Sequence, residues 1–264
     1  MTVKLSIGVI GGGNMGAAIV SGIHKDHRVF ICESDHARRI QLKRKFKIGI
    51  LGLKDLLDES TIVILAVKPQ DFDDLLVSIK PHVRREHLFV SIAAGITTKY
   101  IEKKLCPGVR VVRTMPNLPA QIQQGVTAIA SGKNALKSDL GHVQKLFNTI
   151  GTTLLLEEKY IDAVTAVSGS GPAYVFLFME CMINAAQSLG LSEKLSRTMV
   201  LETIKGSVNL LEKQKESADV LKKRVTSKGG TTQAALTVFE QENIDKIFKK
   251  ALKSAKQRAG ELSR

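Results

Sequence analysis

The stretch LSIGVIGGGNMG at residues 5–16 decides the fold of the first half of the chain. Its apolar start is typical of a short buried strand. Gly11, Gly13 and Gly16 then follow at G-x-G-x-x-G spacing and lead into a helix. In this pattern the glycines make a tight turn, let a pyrophosphate approach the backbone, and let the helix pack on the strand. The stretch therefore predicts a dinucleotide site, with an ordinary strand-to-helix turn as the alternative.

The composition of the chain limits the class of protein. Its 264 residues, 44% of them hydrophobic, are enough for one large domain or two ordinary ones with a full core. We expect no apolar run of membrane-spanning length, and the N-terminus leads straight into strand-like sequence, so we expect a cytoplasmic protein with no membrane partner. The three cysteines lack metal-ligand spacing, and we expect no metal.

The charge balance is strongly basic, with 39 Lys and Arg against 25 Asp and Glu, for a formal net charge of +14. Such a charge is typical of nucleic-acid-binding proteins. Here the basic residues are scattered and interleaved with acids, and no Trp is present to stack on bases. We therefore expect a general attraction for anionic cofactors and substrates, and no nucleic-acid partner.

The first half of the chain alternates strand and helix patterns. Continuous apolar runs are typical of parallel strands that are covered on both faces. Ligands of such sheets bind at the carboxyl ends of the strands. After the first strand, further strands are predicted at 29–32, around 48–50, and at 61–67, 88–92, 109–113, 126–130 and 152–156.

An acidic residue, Glu33, stands at the end of the second predicted strand, about twenty residues after the glycines. Such an acid usually accepts a hydrogen bond from a ribose hydroxyl and repels a 2′-phosphate, which favours NAD. Ser34, Arg38 and Arg39 lie close enough to favour the phosphorylated cofactor instead. The alternative is that Glu33 is an exposed turn residue.

Helical periodicity replaces the strand pattern after about Glu158, and we place a domain boundary there, giving domains 1–157 and 158–264. The helix predicted at 173–189 is apolar nearly all round, which indicates a central helix or a subunit interface. At 225–236, two glycines and two threonines precede another helix. Its first amides suit a carboxylate, whereas an ordinary helix capped by Thr231 is the alternative.

Six segments, taken together and in order, resemble the pyrroline-5-carboxylate reductase family. They are IGVIGGGNMG (7–16), LAVKP (65–69), SIAAG (91–95), RTMPN (113–117), SGSGPAY (168–174) and VTSKGGTT (225–232). The last is the signature region of the family, whereas the glycine loop is shared with many dehydrogenases. Lys228 departs from the family, since that place is often held by proline, and 53–54 lacks the asparagine-bearing turn of many members.

The resemblance implies an α/β Rossmann dinucleotide-binding domain followed by an all-helical domain for dimerisation and substrate binding. The implied assembly is a homodimer, often built further into a pentamer of dimers. The implied reaction is reduction of a cyclic imino acid, 1-pyrroline-5-carboxylate, to L-proline by hydride from NADPH or NADH, the last step of proline biosynthesis.

The resemblance also implies roles for individual residues. Those that would hold the pyrophosphate are Gly11, Gly12, Gly13, Asn14 and Met15. Those that would line the nicotinamide pocket are Ala66, Val67, Lys68, Pro69, Ala93, Ala94 and Gly95, with Asn117 near the reacting face. Gly230, Thr231 and Thr232 would hold the substrate carboxylate and ring nitrogen. Two weaker matches are Glu158, on the cofactor side, and Glu216, on the substrate side.

The residue inventory fits imine reduction. An imine nitrogen protonates readily and the iminium carbon accepts hydride, so the protein must supply orientation and one weak proton donor. We expect the Thr232 hydroxyl to form a hydrogen bond with the ring nitrogen, directly or through a water. One alternative is a β-hydroxyacid dehydrogenase that uses Lys194 or Lys205 as proton donor. Another is a nucleotide-sensing protein without turnover.

Overall fold

An eight-stranded sheet organises the first part of the computed structural model, which describes residues 4–263. The strands are β1 (Ser6–Ile10), β2 (Arg28–Cys32), β3 (Gly49–Ile50), β4 (Ile62–Leu65), β5 (Leu88–Ser91), β6 (Arg110–Met115), β7 (Gly125–Ser131) and β8 (Gly151–Leu155). Their order in the sheet is β3-β2-β1-β4-β5-β6-β7-β8. All neighbours pair in parallel except β6 and β7, which pair antiparallel.

Helices cover both faces of this sheet, as a parallel sheet requires. They are α1 (Asn14–Ile23), α2 (His36–Phe46), α3 (Leu53–Glu59), α4 (Phe72–Ile79), α5 (Thr98–Lys104) and α6 (Lys137–Phe147). Successive residues of β4 point to opposite faces, so Ile64 packs with residues of α1, α2 and α6. Leu65 packs on the other side with residues of α3, α4 and α5. The α/β Rossmann fold that the resemblance implies is confirmed.

The carboxyl ends of four strands lie at one edge of the sheet, because β1, β4, β5 and β6 run in the same direction. The chain crosses from one side of β1 to the other between β3 and β4. Such a reversal of strand order makes a crevice at the carboxyl edge, where ligands bind in open α/β sheets. The residues that follow these four strands therefore come to one place.

The second part of the chain is helical. It contains α7 (Ile161–Val164), a π-helical turn (Thr165–Gly169), α8 (Gly171–Ser188), α9 (Glu193–Gln214), α10 (Ala218–Arg224), α11 (Thr231–Gln241) and α12 (Ile244–Glu261). Two compact units result: residues up to 172 together with those from 254 onward, and residues 173–253. This division differs from the predicted domain boundary at 157/158, which stays a prediction.

The second unit has almost no buried core of its own. Among residues 173–253, only Ser196 and Val200 are buried. On α8, Phe176 and Leu177 are 55% and 60% exposed, although they are large and apolar. An apolar face of this kind needs another surface to cover it.

One helical stretch of the described residues, Glu158–Ser188, is long and apolar enough to cross a membrane by length and mean hydropathy alone. The expectation that no apolar run reaches this length is therefore wrong. In the sequence, polar residues such as Ser168, Ser170 and Asn184 interrupt the apolar run. In the structure, the helix continues past them through the π-helical turn. The mean hydropathy of the helix stays high in spite of these few polar residues.

A buried arginine ties four segments of the first unit together. Arg113, on β6, is 2% exposed and pairs with Glu158 at 3.3 Å and with Asp162 at 3.5 Å. Glu158 also accepts hydrogen bonds from the backbone N–H (2.8 Å) and the hydroxyl (2.6 Å) of Thr98 at the start of α5. The Ser263 hydroxyl donates to Asp162 at 3.4 Å. The strand, the start of α5, the 158–162 segment and the C-terminal residues thus depend on one guanidinium.

Replacing Arg113 with Met should lower the free energy of unfolding by ~2–4 kcal/mol, because two carboxylates are left facing each other without a cation. Urea unfolding at fixed protomer concentration measures this change. Lys249→Met is the matched control, since it removes the cation of an exposed pair with Asp245 and should change the same quantity by less than ~0.5 kcal/mol. Equal urea midpoints for the two variants would contradict the assigned role of the cluster.

Candidate active site

The glycine loop between β1 and α1 has the geometry that its spacing predicts. Gly11 has φ +102°, and a Cβ there would lie 2.5 Å from the carbonyl oxygen of Ala66. A Cβ on Gly16 would lie 2.1 Å from the carbonyl oxygen of Gly11. Gly13, by contrast, has nothing within 4 Å of the corresponding point. Thus Gly11 turns the chain against the end of β4, Gly16 lets the helix approach the turn, and Gly13 borders open space.

The start of α1 offers backbone donors to an anion. Gly13 is the N-cap and makes no side-chain cap. The first amide of this turn with an acceptor is that of Ala17, which donates to the Gly13 carbonyl at 2.9 Å. Within residues 4–263, the amides of Asn14, Met15 and Gly16 have no acceptor. A diphosphate is a ligand that these donors, the helix dipole and the open space beside Gly13 would fit.

The residues expected around a nicotinamide follow β4, β5 and β6 at the same edge of the sheet. Ala66 and Val67 are half-buried after β4, and the exposed Lys68 and Pro69 begin a 3₁₀ turn. The small, apolar side chains of Ala66 and Val67 fit a flat ring better than bulky polar ones would.

The loop after β5 is held by the C-terminal end of the chain. Ala93 is buried, and Ala94 is half-buried. Gly95 is buried with φ +74°, and a Cβ there would lie 2.5 Å from the carbonyl oxygen of Leu262. Gly95 is therefore required both by the turn and by the packing of the C-terminal segment.

Asn117 is 8% exposed and lies beyond the end of β6. Its side-chain oxygen accepts a hydrogen bond from the backbone N–H of Val126 at 2.8 Å. This bond fixes the loop to β7 and leaves the side-chain NH₂ as a donor. Its contact with the cofactor stays a prediction.

Glu33 is braced against the glycine loop. One carboxylate oxygen accepts the backbone N–H of Gly12 at 2.7 Å, and the other accepts the N–H of Asp35 at 2.9 Å and the hydroxyl of Ser34 at 3.3 Å. Burial raises the pKa of the Glu33 carboxyl, but these hydrogen bonds together lower it by a larger amount, so the pKa lies below its usual value. The alternative of a simple exposed turn residue is wrong, because Glu33 is half-buried and engaged.

The start of α11 is the second group of free donors, and it lies in the second unit. Gly229 has φ +72°, and Gly230 is the N-cap of the helix without a side-chain cap. The predicted alternative of a helix capped by Thr231 is wrong, because Thr231 is already the first helical residue. A Cβ on Gly230 would lie 2.3 Å from the Ser227 hydroxyl oxygen, so a larger residue at this cap would require the Ser227 side chain to move.

Consequently the amides of Thr231, Thr232 and Gln233 have no acceptor among residues 4–263, and the first amide with one is that of Ala234. The half-buried Thr232 hydroxyl also makes no hydrogen bond in this part of the chain. The Gln233 side chain accepts the N–H of Gly229 and closes the turn. The result is a small group of donors that fits a carboxylate and one further polar atom.

Two weaker site predictions have other partners in the structure. Both carboxylate oxygens of Glu158 are engaged by Thr98 and Arg113, as described above. One oxygen of Glu216 pairs with Arg224 at 2.7 Å, whereas the other is buried without a hydrogen-bond partner among the described residues. Ligand contacts of Glu158 and Glu216 stay predictions.

Arg38 is a residue of this site that sequence reasoning placed only near the ribose. Its Nε donates to the Gly12 carbonyl, and its Nη2 donates to the Asn14 side chain at 3.2 Å. The signal in the sequence is a cation in the first turn of the helix that follows the second strand.

Comparison with known protein families covers both parts of the chain. Residues 6–95 match the family described as NADP oxidoreductase, coenzyme F420-dependent. Residues 158–262 match the family described as pyrroline-5-carboxylate reductase dimerisation. The exposed apolar helix at Glu158–Ser188 lies within the second match, which accounts for its composition.

Full-length relatives agree with these matches. The chain is 36% identical over 264 residues to a pyrroline-5-carboxylate reductase of Methanosarcina acetivorans, with 98% of each chain covered. It is 33% identical over 263 residues to pyrroline-5-carboxylate reductase 2 of Bacillus subtilis, covering 97% of this chain and 94% of the relative.

Solved structures show the same similarity. A pyrroline-5-carboxylate reductase of Coxiella burnetii has a TM-score of 0.90 at 32% identity, with 99% of both chains covered. A Plasmodium falciparum pyrroline carboxylate reductase, solved with NADP bound, has a TM-score of 0.89 at 29% identity over 100% of both chains.

The β-hydroxyacid dehydrogenase alternative is therefore set aside. The chain belongs to the pyrroline-5-carboxylate reductase family and is an NAD(P)-dependent oxidoreductase of the last step of proline biosynthesis.

Proposed function

We propose that the two groups of free donors divide the reaction between them. The start of α1 binds the dinucleotide, and the start of α11 binds 1-pyrroline-5-carboxylate during its reduction to L-proline. The observation that carries this proposal is the start of α11, where three amides and the Thr232 hydroxyl have no partner among the described residues. The proposed functional domains are 1–157 and 158–264, and the family match at 158–262 supports that division.

The chain holds its cofactor through groups of the first unit. The amides at the start of α1 bind the diphosphate, and the residues after β4 and β5 support the nicotinamide ring. When bound, the reduced nicotinamide supplies a hydride. The protein's own part is to hold the ring at a fixed orientation beside small, apolar side chains and to exclude water there.

The chain holds its substrate through α11. The amides of Thr231 and Thr232 and the helix dipole bind the carboxylate. The Thr232 hydroxyl forms a hydrogen bond with the ring nitrogen, directly or through a water. The imine nitrogen is protonated, its carbon receives the hydride with both bonding electrons, and the product is a secondary amine. No nucleophile or covalent intermediate is required.

Initial rates of NADH and NADPH oxidation with 1-pyrroline-5-carboxylate test the activity itself. Turnover with the imine is expected, with hydroxy acids inactive in the reverse direction. Cofactor binding without turnover on any imine would instead support a nucleotide-sensing protein.

Changing Thr232 to Val should reduce kcat/KM for the imine by about 10- to 100-fold, because hydrogen bonds to charged groups contribute about 1.5–3 kcal/mol. The Kd for the cofactor should not change. Thr232→Ser, which keeps the hydroxyl, should recover most of the activity. The measurement is steady-state kinetics together with a cofactor titration.

Thr237→Val is the control for that substitution. Thr237 lies on the same helix, and among the described residues its hydroxyl donates only to the Gln233 carbonyl, at 3.0 Å. It should leave kcat/KM within about twofold, as expected of a surface substitution. Unchanged turnover in Thr232→Val would remove Thr232 from the mechanism.

The carboxylate contact predicts how a truncated substrate behaves. 1-Pyrroline has the same ring imine without the carboxylate, so its KM should rise by about 10- to 100-fold, because a charge-assisted hydrogen bond is lost. Rate measurements with the two imines at saturating cofactor give the comparison. Equal KM values would show that the α11 amides do not hold the carboxylate.

The proposed assembly is a homodimer through the second unit, with a pentamer of dimers as the larger form, in the cytoplasm. The dimerisation match and the exposed apolar side chains of α8 support self-association. An apolar groove of about 180 Å³ between α8 and α12, lined by Leu177, Phe178 and Phe248 among others, offers part of that surface. The family's place in proline biosynthesis supports the location.

Replacing Phe178 with Glu should shift the protein toward monomers, because a charge would be desolvated in the covered apolar face. Sedimentation velocity across a concentration series measures the change. Gln187→Glu adds the same charge at an exposed polar position of α8 and should leave the oligomer intact. An unaltered dimer in Phe178→Glu would place the interface elsewhere.

A further inference from the structure

The carboxylate of Glu33 is fixed in position rather than free to rotate. Its three donors come from Gly12, Ser34 and Asp35, so it is held from the glycine loop on one side and from the start of α2 on the other. A Cβ on Gly12 would lie 2.9 Å from the nearer carboxylate oxygen. A free surface glutamate could swing away from an incoming phosphate, whereas this one would have to break several hydrogen bonds to do so.

The place of Glu33 in the fold is where a dinucleotide presents its adenosine ribose. In doubly wound sheets, an acid at the end of the second strand faces the ribose hydroxyls. An ionised carboxylate has about four acceptor sites, and three hydrogen bonds leave room to accept one from a ribose 2′-hydroxyl. A 2′-phosphate offers no such donor and brings like charge against the carboxylate.

Arg38 and the later cations of α2 do not offset the repulsion between Glu33 and a 2′-phosphate. Arg38, the nearest cation along α2, has its Nε and Nη2 committed to the Gly12 carbonyl and the Asn14 side chain. The basic residues from Lys43 onward begin eight residues past Asp35. At 1.5 Å per residue they lie about 12 Å further along the helix, beyond the screening length at physiological salt.

Arg39 is the remaining cation, and it could act in the opposite direction. Its Nε is buried without a hydrogen-bond partner among the described residues. It lies close to Cys32: burial and the charge of Glu33 raise the pKa of that thiol, and the charge of Arg39 lowers it. Arg39 is therefore the cation whose removal tests whether a 2′-phosphate binds at this strand end.

We propose that Glu33 is the residue that selects the cofactor and that it makes this enzyme prefer NADH over NADPH. The proposal rests on the proposed function, since it requires the dinucleotide to bind at the glycine loop. Arg38 then acts as a positioning residue that fixes the loop, rather than as a phosphate ligand.

The test uses the full-length protein and two fragments that lack the reactive ring, ADP-ribose and its 2′-phosphorylated form. Isothermal titration should show that the wild-type protein binds ADP-ribose at least ~10-fold more tightly than the 2′-phosphorylated fragment. Like charges about 4 Å apart near a protein surface repel strongly enough to cause a difference of that size or more. The kcat/KM for NADH should likewise exceed the kcat/KM for NADPH.

Glu33→Gln keeps the shape and one acceptor oxygen of the side chain but removes its charge. The preference between the two fragments should fall to about threefold or less. Glu59→Gln is the matched control, because it also removes one carboxylate, from an exposed pair with Arg28 at 2.9 Å, and the preference should stay at its wild-type value.

Other results separate the two proposals. Tighter wild-type binding of the 2′-phosphorylated fragment, lost in Arg39→Gln, would overturn the role of Glu33 and leave the reductase function standing. Equal wild-type binding of the two fragments would do the same. Binding of neither fragment would remove the dinucleotide site and with it the proposed function. A preference for ADP-ribose that Glu33→Gln leaves at its wild-type value would also overturn the role of Glu33, because another group would then make the selection.

Discussion

The approach of one backbone to another governs the cofactor half of this enzyme. Gly11 turns the chain so closely against the Ala66 carbonyl that no side chain fits between them. That contact joins the ends of β1 and β4, the two strands between which the order of the sheet reverses. Because α1 begins three residues later, its free amides lie at the same carboxyl edge of the sheet. The candidate anion site is thus a consequence of backbone packing, and the charged residues around it act only on a loop that the glycines have already shaped.

The helical unit obeys a different constraint, which is the lack of an interior. With only Ser196 and Val200 buried in residues 173–253, the free energy that normally offsets chain entropy is missing from the single chain. Burial of the apolar side chains of α8 against another surface would supply that free energy. Since the free donors of α11 lie in this same unit, the proposed binding of substrate there and the self-association of the chain depend on the same burial. Loss of assembly should therefore impair substrate binding before it impairs the cofactor half.

Sequence patterns predicted the layers of the fold but not all of its pairings. Continuous apolar runs such as Ile62–Leu65 predicted buried parallel strands, and the glycine spacing predicted the loop conformation. The antiparallel pairing of β7 was not predicted, although nine residues between Met115 and Gly125 are too few for a parallel crossover. The alternative in which Thr231 caps α11 also placed the cap one residue late, because threonine and glycine are about equally favourable at that position. The partners of Arg113 could not be predicted, since they come from residues more than forty positions away whose proximity only the folded sheet creates.

Charge acts on this protein at two distances, and the two effects differ in kind. The formal net charge of +14 attracts any anion over a screening length and raises the rate at which dinucleotides and small acids arrive. It cannot select NADH, because a positive net charge attracts the more highly charged NADPH more strongly. Discrimination needs a group that is fixed within a few ångströms of the differing atom, because only there does a single charge exceed the background. A negative carboxylate, braced by three hydrogen bonds in a basic protein, is a device of that kind. Its bracing matters as much as its sign, since a mobile acid would yield to the phosphate at little cost.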